Sequence, residues 1–103
     1  MATKKKKPEM ELTFIVYSNP IDEEVMEILQ KHQCGFTRFN GVQGQGNRDP
    51  HMGSHVWPAL NNCVMVAADS ITREQVCDEI LALKTRYKGI GVSVFVTALK
   101  EML

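Results

Sequence analysis

A strand–helix–strand pattern occurs twice along this chain, and the repeat dictates a two-layer α+β domain. Residues 11–18 (ELTFIVYS) are β-branched and aromatic, the composition of a mostly buried strand. Asn19-Pro20 follows as a helix start, with Asn suited to the N-cap and Pro to the first helical position. Asp22, Glu23 and Glu24 load that first turn with the charge the helix dipole favours. Ile21, Val25, Ile28 and Leu29 then form one apolar stripe, and Gly35 is the expected stop. Residues 36–43 alternate loosely and read as a second strand. The second half repeats the scheme. Residues 62–68 (NCVMVAA) read as a central strand, and Ser70 or Thr72 caps a helix, with Thr72 and Gln75 matching a capping box. Val76, Ile80, Leu83 and Tyr87 lie one turn apart, Gly89 ends the element, and residues 90–97 (IGVSVFVT) form the last strand.

Strand, helix, strand, strand, helix, strand is the order of a ferredoxin-like split βαβ fold. Right-handed crossovers place both helices on one face of a four-stranded antiparallel sheet. The opposite face then carries Phe14, Val16, Val64, Val66, Val94 and Val96, or their alternating neighbours. A bare apolar face on so small a domain calls for a covering partner, and a homo-oligomer is the simplest one. Four of the seven glycines fall between residues 41 and 53, with Pro50 and Pro58 in the same region, so residues 44–60 read as one long loop between strands 2 and 3. Loops of that length in small domains are usually functional or disordered.

Length and composition set further bounds. At 103 residues there is room for one core. Residues 1–9 read as a basic flexible tail and residues 10–103 as the domain. Lys4 to Lys7 supply four of the twelve basic residues, so from Pro8 onward eight basic residues face twelve acidic ones. That balance argues against a nucleic-acid-binding face. No apolar run approaches the roughly 18 residues of a membrane span, so no membrane insertion is expected. Cys34, Cys63 and Cys77 are odd in number and lack CxxC spacing, which fits a reducing, cytoplasmic setting rather than a disulfide framework.

The candidate chemistry gathers around the glycines. Gly41, Gly44, Gly46, Gly89 and Gly91 allow close backbone approach and could form an anion-binding nest; hairpin turns alone also account for them. His51 and His55, at i and i+4, could share a divalent transition metal completed by Asp49 or Cys63. The alternative leaves one hydrogen-bonded and the other solvated. Trp57 either anchors the loop to the body or stacks on an adenine or a partner surface. His32 ends a helix, where a cation suits the dipole, and reads as structural. Asp22, Glu23, Glu24, Glu74, Asp78 and Glu79 read as solvated helix charges. No cysteine or serine nucleophile has a recognisable base and orienter, so the chain does not read as an enzyme.

The βαββαβ order, the long loop and Gly89-Ile90-Gly91 before the last strand together resemble the P-II (nitrogen regulatory protein-like) signal-transduction superfamily. Gly41-Val42-Gln43-Gly44-Gln45-Gly46, continuing to Pro50-His51-Met52-Gly53-Ser54-His55-Val56-Trp57-Pro58, is similar to a divergent P-II-like subgroup. The resemblance covers residues 10–100. It implies a homo-trimer with clefts between subunits and a small effector, such as an adenine nucleotide, bound there. Gly41, Gln43, Gly44, Gln45, Gly46, Gly89 and Gly91 would contact the ligand. It also implies that the 44–60 loop, called the T-loop in that family, reports to a regulated transporter, enzyme or regulator. Arg48, Met52 and Trp57 are its partner-facing candidates. Where nucleotide-binding members carry a lysine after the Gly-x-Gly turn, this chain has Val92, and its tail offers only Lys100. The alternative is a metal-homeostasis module, similar to the copper-tolerance trimers of like fold, that uses His51 and His55.

Overall fold

A computed structural model describes residues 9–43 and 61–103. The elements are β1 (Met10–Ser18), a 3-10 turn (Asn19–Ile21), α1 (Asp22–Lys31), β2 (Phe36–Val42), β3 (Asn61–Asp69), α2 (Ser70–Arg86) and β4 (Val92–Ala98). They form one antiparallel four-stranded sheet in the order β2-β3-β1-β4, with both helices packed together against it. This is the expected ferredoxin-like α+β architecture.

Register decides which side chains face the helices. Ile15 lies opposite Val64 on one side and Val94 on the other, Thr13 opposite Val66 and Val96, and Tyr17 opposite Asn62 and Val92. With Ile21, Val25 and Leu29 from the first half and Val76, Ile80 and Leu83 from α2, this layer makes the core. The uncovered face is formed by Leu12, Phe14, Val16, Cys63, Met65, Phe95 and their neighbours. Of the set expected there, Phe14 and Val16 lie on this face, while for Val64, Val66, Val94 and Val96 it is the alternating neighbours that do, and these four belong to the helix side. Alternation within a strand is strict, but the phase between strands comes from pairing, which β-branched residues on both faces do not reveal.

The helix ends also differ from expectation. Asn19 and Pro20 open a 3-10 turn, and α1 begins at Asp22 without a side-chain cap. At its far end Gln33, not Gly35, takes the left-handed conformation, with φ +56°. Its N–H donates to the Gln30 carbonyl at 3.0 Å, an orphan acceptor of the last turn. The cap of α2 is Asp69: its Oδ1 accepts the Thr72 N–H at 2.7 Å and its Oδ2 the Thr72 hydroxyl at 3.1 Å, so Thr72 is capped rather than capping. The helix stops at Arg86, and Gly89 (φ +84°) turns the chain into β4. His32 bonds to Glu79 across the helix pair, and Lys31 adds a 3.0 Å contact to the same carboxylate, so Glu79 is a tie between helices rather than a solvated charge.

Candidate functional site

One end of the sheet collects the described residues expected at a ligand. There β1 and β2 finish while β3 and β4 begin. On β2, the two residues between Phe39 and Val42 face only one on β3, between Cys63 and Asn61, which defines a bulge. Gly41 occupies it with φ +65°, a conformation that costs other residues a Cβ clash.

The bulge is held from below by a buried polar cluster. Asn62, 4% exposed, accepts the Gly41 N–H on Oδ1 at 3.3 Å. Its Nδ2 donates to Asn19 Oδ1 and to Asp22 Oδ1, both at 3.0 Å. The Tyr17 hydroxyl donates to the same Asp22 oxygen at 2.6 Å, and Arg38 holds the other, Oδ2, at 3.0 Å. Every polar atom of the Asn62 side chain is thus used, as burial requires. Burial, and then the hydrogen bond to Asp22, push the Tyr17 hydroxyl well above its ordinary value of 10.0. It stays a donor throughout the physiological range. Asp22, expected as one of several solvated charges, is instead the centre of this cluster. Neither it nor Asn62 was expected at the site, and a lone Asp or Asn carries no periodic signal by which to find it.

The other corner lies on β4. Ser18, the last residue of β1, clasps Gly91 through its own N–H to the Gly91 carbonyl at 3.0 Å and through Oγ, which accepts the Gly91 N–H at 2.9 Å. Tyr87 donates to Glu24 at 2.7 Å, binding the end of α2 to the first turn of α1 beside this corner.

The two corners do not meet within one chain. Gly41 and Gln43 belong to the β2 edge, Gly89 and Gly91 to the β4 edge, with β3 and β1 between them. Three strand spacings amount to about 14 Å, too far for one phosphate to touch both. Gly44, Gln45, Gly46, Arg48, His51, Met52, His55 and Trp57 lie outside the described residues. No group of three or more His, Cys, Asp or Glu suited to a metal ion occurs among the described residues. Burial pushes the Cys34, Cys63 and Cys77 thiols up, which leaves them protonated at neutral pH. Two shallow grooves, one between α1 and α2 and one beside His32 and Asp69, contain none of the expected ligand residues.

No protein-family model matches the sequence. No curated protein matches it either. Solved structures do match the fold. CPII from Thiomonas intermedia, in its structure with ADP, AMP and acetate, aligns with a TM-score of 0.62 over 91% of this chain and 91% of that chain, at 11% identity. CPII is a nitrogen regulatory PII-like protein. A candidate PII-like signaling protein from Thermus thermophilus aligns with a TM-score of 0.59 over 89% of this chain and 90% of that one, at 14% identity. The fold is that of the PII-like proteins. A functionally unknown protein from Pediococcus pentosaceus shares it as well, with a TM-score of 0.66 over 94% of this chain and 98% of the other, at 10% identity. Among the described residues no helix is long and apolar enough to cross a membrane.

Proposed function

We propose that this chain is a non-catalytic PII-like regulatory protein, a homo-trimer that binds a small effector of the adenine-nucleotide class between subunits and signals through residues 44–60 to a regulated protein. The observation that carries the reading is the placement of the two glycine corners at one end of the sheet but on opposite edges. A cyclic assembly apposes unlike edges of neighbouring copies, and each interface then unites one Gly41 corner with one Gly91 corner. The uncovered sheet face supports assembly independently: Phe95 is 59% exposed and lies opposite Phe14, which lies opposite Met65 on its other side, an apolar surface in need of cover. The segment 44–60 leaves the sheet beside Gly41 and returns at Asn61, so effector contact at that corner bears directly on both of its ends.

Native mass spectrometry combined with a thermal-shift series across adenine nucleotides tests the reading. The expected result is a trimer mass and a rise in melting temperature with at least one nucleotide. A monomer mass at micromolar concentration removes the subunit clefts and overturns it.

A further inference from the structure

We infer that Asn62 is the positioning residue of a conformational latch: it selects the left-handed state of Gly41, at the root of segment 44–60, and anchors that choice to the start of α1.

The chain leaves the sheet just after Gly41 and returns at Asn61, which lies opposite Val42. Asn62 Oδ1 accepts the Gly41 N–H, so a residue on the returning strand grips one on the departing strand. At 3.3 Å this is the longest bond of the buried cluster, whose other four run from 2.6 to 3.0 Å. An added Cβ at Gly41 would meet nothing within 4 Å, so glycine is needed there for its φ of +65° and not for room. Glycine takes positive and negative φ with similar ease. Sterics therefore leave this root two conformations, and the bond to Asn62 decides between them. Turning Gly41 away would leave Asn62 Oδ1 buried without a donor, which weights the balance toward the latched state.

The far end of the amide makes it a fixed post. Nδ2 donates to Asn19 Oδ1 and Asp22 Oδ1, both at 3.0 Å. A flipped amide would set its oxygen against those two oxygens and its NH2 against the Gly41 N–H, so one orientation is enforced. Asn19 adjoins Ser18, whose N–H and Oγ clasp Gly91. A single path from Gly41 through Asn62, Asn19 and Ser18 to Gly91 thus ties the two glycine corners of one copy across the sheet. The latch consists of described residues alone, so its failure leaves the functional reading above standing.

Amide hydrogen exchange of the full chain, resolved by residue with NMR, tests the latch in wild type, Asn62→Asp, Asn19→Ala and Arg38→Gln. Protection at Ile15, fully buried in the central strand, is the reference for global opening. Wild-type Gly41 should be protected and its coupling constants should report a positive φ. N62D sets a second carboxylate beside Asp22, and at about pH 8 Gly41 protection relative to Ile15 should fall about tenfold. At about pH 5, where one of two such close carboxyls keeps a proton and can donate again, protection should recover. N19A retains the Asp22 acceptor and should lose only about threefold. R38Q removes an exposed ion pair but no bond of Asn62, and should stay within about twofold of wild type. A negative φ or an unprotected amide at wild-type Gly41 overturns the latch even if no variant folds. An unchanged ratio of Gly41 to Ile15 protection in folded N62D overturns it as well. A loss in R38Q equal to that in N62D assigns the hold to the ion pair and overturns the role given to Asn62.

Discussion

The Asn62 side chain reaches the Gly41 backbone at 3.3 Å and the Asp22 carboxylate at 3.0 Å, so one buried amide joins the bulge of β2 to the start of α1. Asn62→Leu keeps the branched shape but strands the Gly41 N–H and the Asn19 Oδ1, and leaves Asp22 Oδ1 to Tyr17 alone. We expect a loss of about 2 to 4 kcal/mol in denaturant unfolding, the range for breaking a buried hydrogen-bond network. A change well under 1 kcal/mol would show that water replaces the amide without cost.

Gly41 and Gly91 should respond oppositely to alanine. Gly41→Ala forces a Cβ into the left-handed region and should cost about 1 to 2 kcal/mol of stability. Gly91→Ala meets only an ordinary contact and should leave stability within about 0.5 kcal/mol. Under the proposed function, any defect of the second variant should appear in effector binding, and equal destabilisation of the two would contradict the geometry.

Acid should weaken the helix layer. Bonds from His32 and Lys31 hold the Glu79 carboxyl below its ordinary 4.5, and the Thr72 N–H holds Asp69 below its ordinary 3.8. Groups lowered in the folded state contribute stability above their unfolded values and lose it as pH falls through the folded ones. Unfolding free energy should therefore decline from about pH 5 toward about pH 3, and Glu79→Gln should flatten part of that decline. A parallel profile in E79Q would assign the effect elsewhere.

Tyr17 should resist ionisation. Its folded value is raised, so its contribution is complete below the ordinary 10.0 and is lost as pH climbs above that toward the folded value. Spectroscopic titration of the phenolate should show one tyrosine that ionises only as the protein unfolds in alkali. Tyr17→Phe should remove that late step.

Phe95→Glu places a charge on the uncovered face without touching the core. If copies close over that face, the variant should run as a smaller species at equal concentration while keeping its far-UV circular dichroism. An unchanged mass would locate the assembly contact elsewhere.

The helices were legible from their periods, the stripe of Val25, Ile28 and Leu29 on α1 and that of Val76, Ile80 and Leu83 on α2, and β1, β3 and β4 from their apolar runs, while β2 alternates only loosely. Parity between strands was not legible. ELTFIVYS and NCVMVAA are apolar on both faces, and only the pairing of Ile15 with Val64 and Val94 settles which face is covered. Caps failed for a related reason: Asp69, Ser70 and Thr72 are all competent, and the backbone geometry at Asp69 decides among them. At the site, glycines marked both corners because φ +65° at Gly41 and φ +84° at Gly89 demand them. The partners that hold the corners, Asn62, Asp22 and Ser18, are ordinary polar residues whose roles exist only once distant strands have been brought together.

Val42 lies opposite Asn61 in adjacent hydrogen-bonded strands, so everything between them departs from and returns to a single point on the sheet. Closure entropy grows only logarithmically with the length of such an excursion. Peptides of other lengths and sequences can therefore be spliced between these two residues with little demand on the four strands beneath. The fold thus offers a socket, whose insert can be changed while the framework is inherited unchanged.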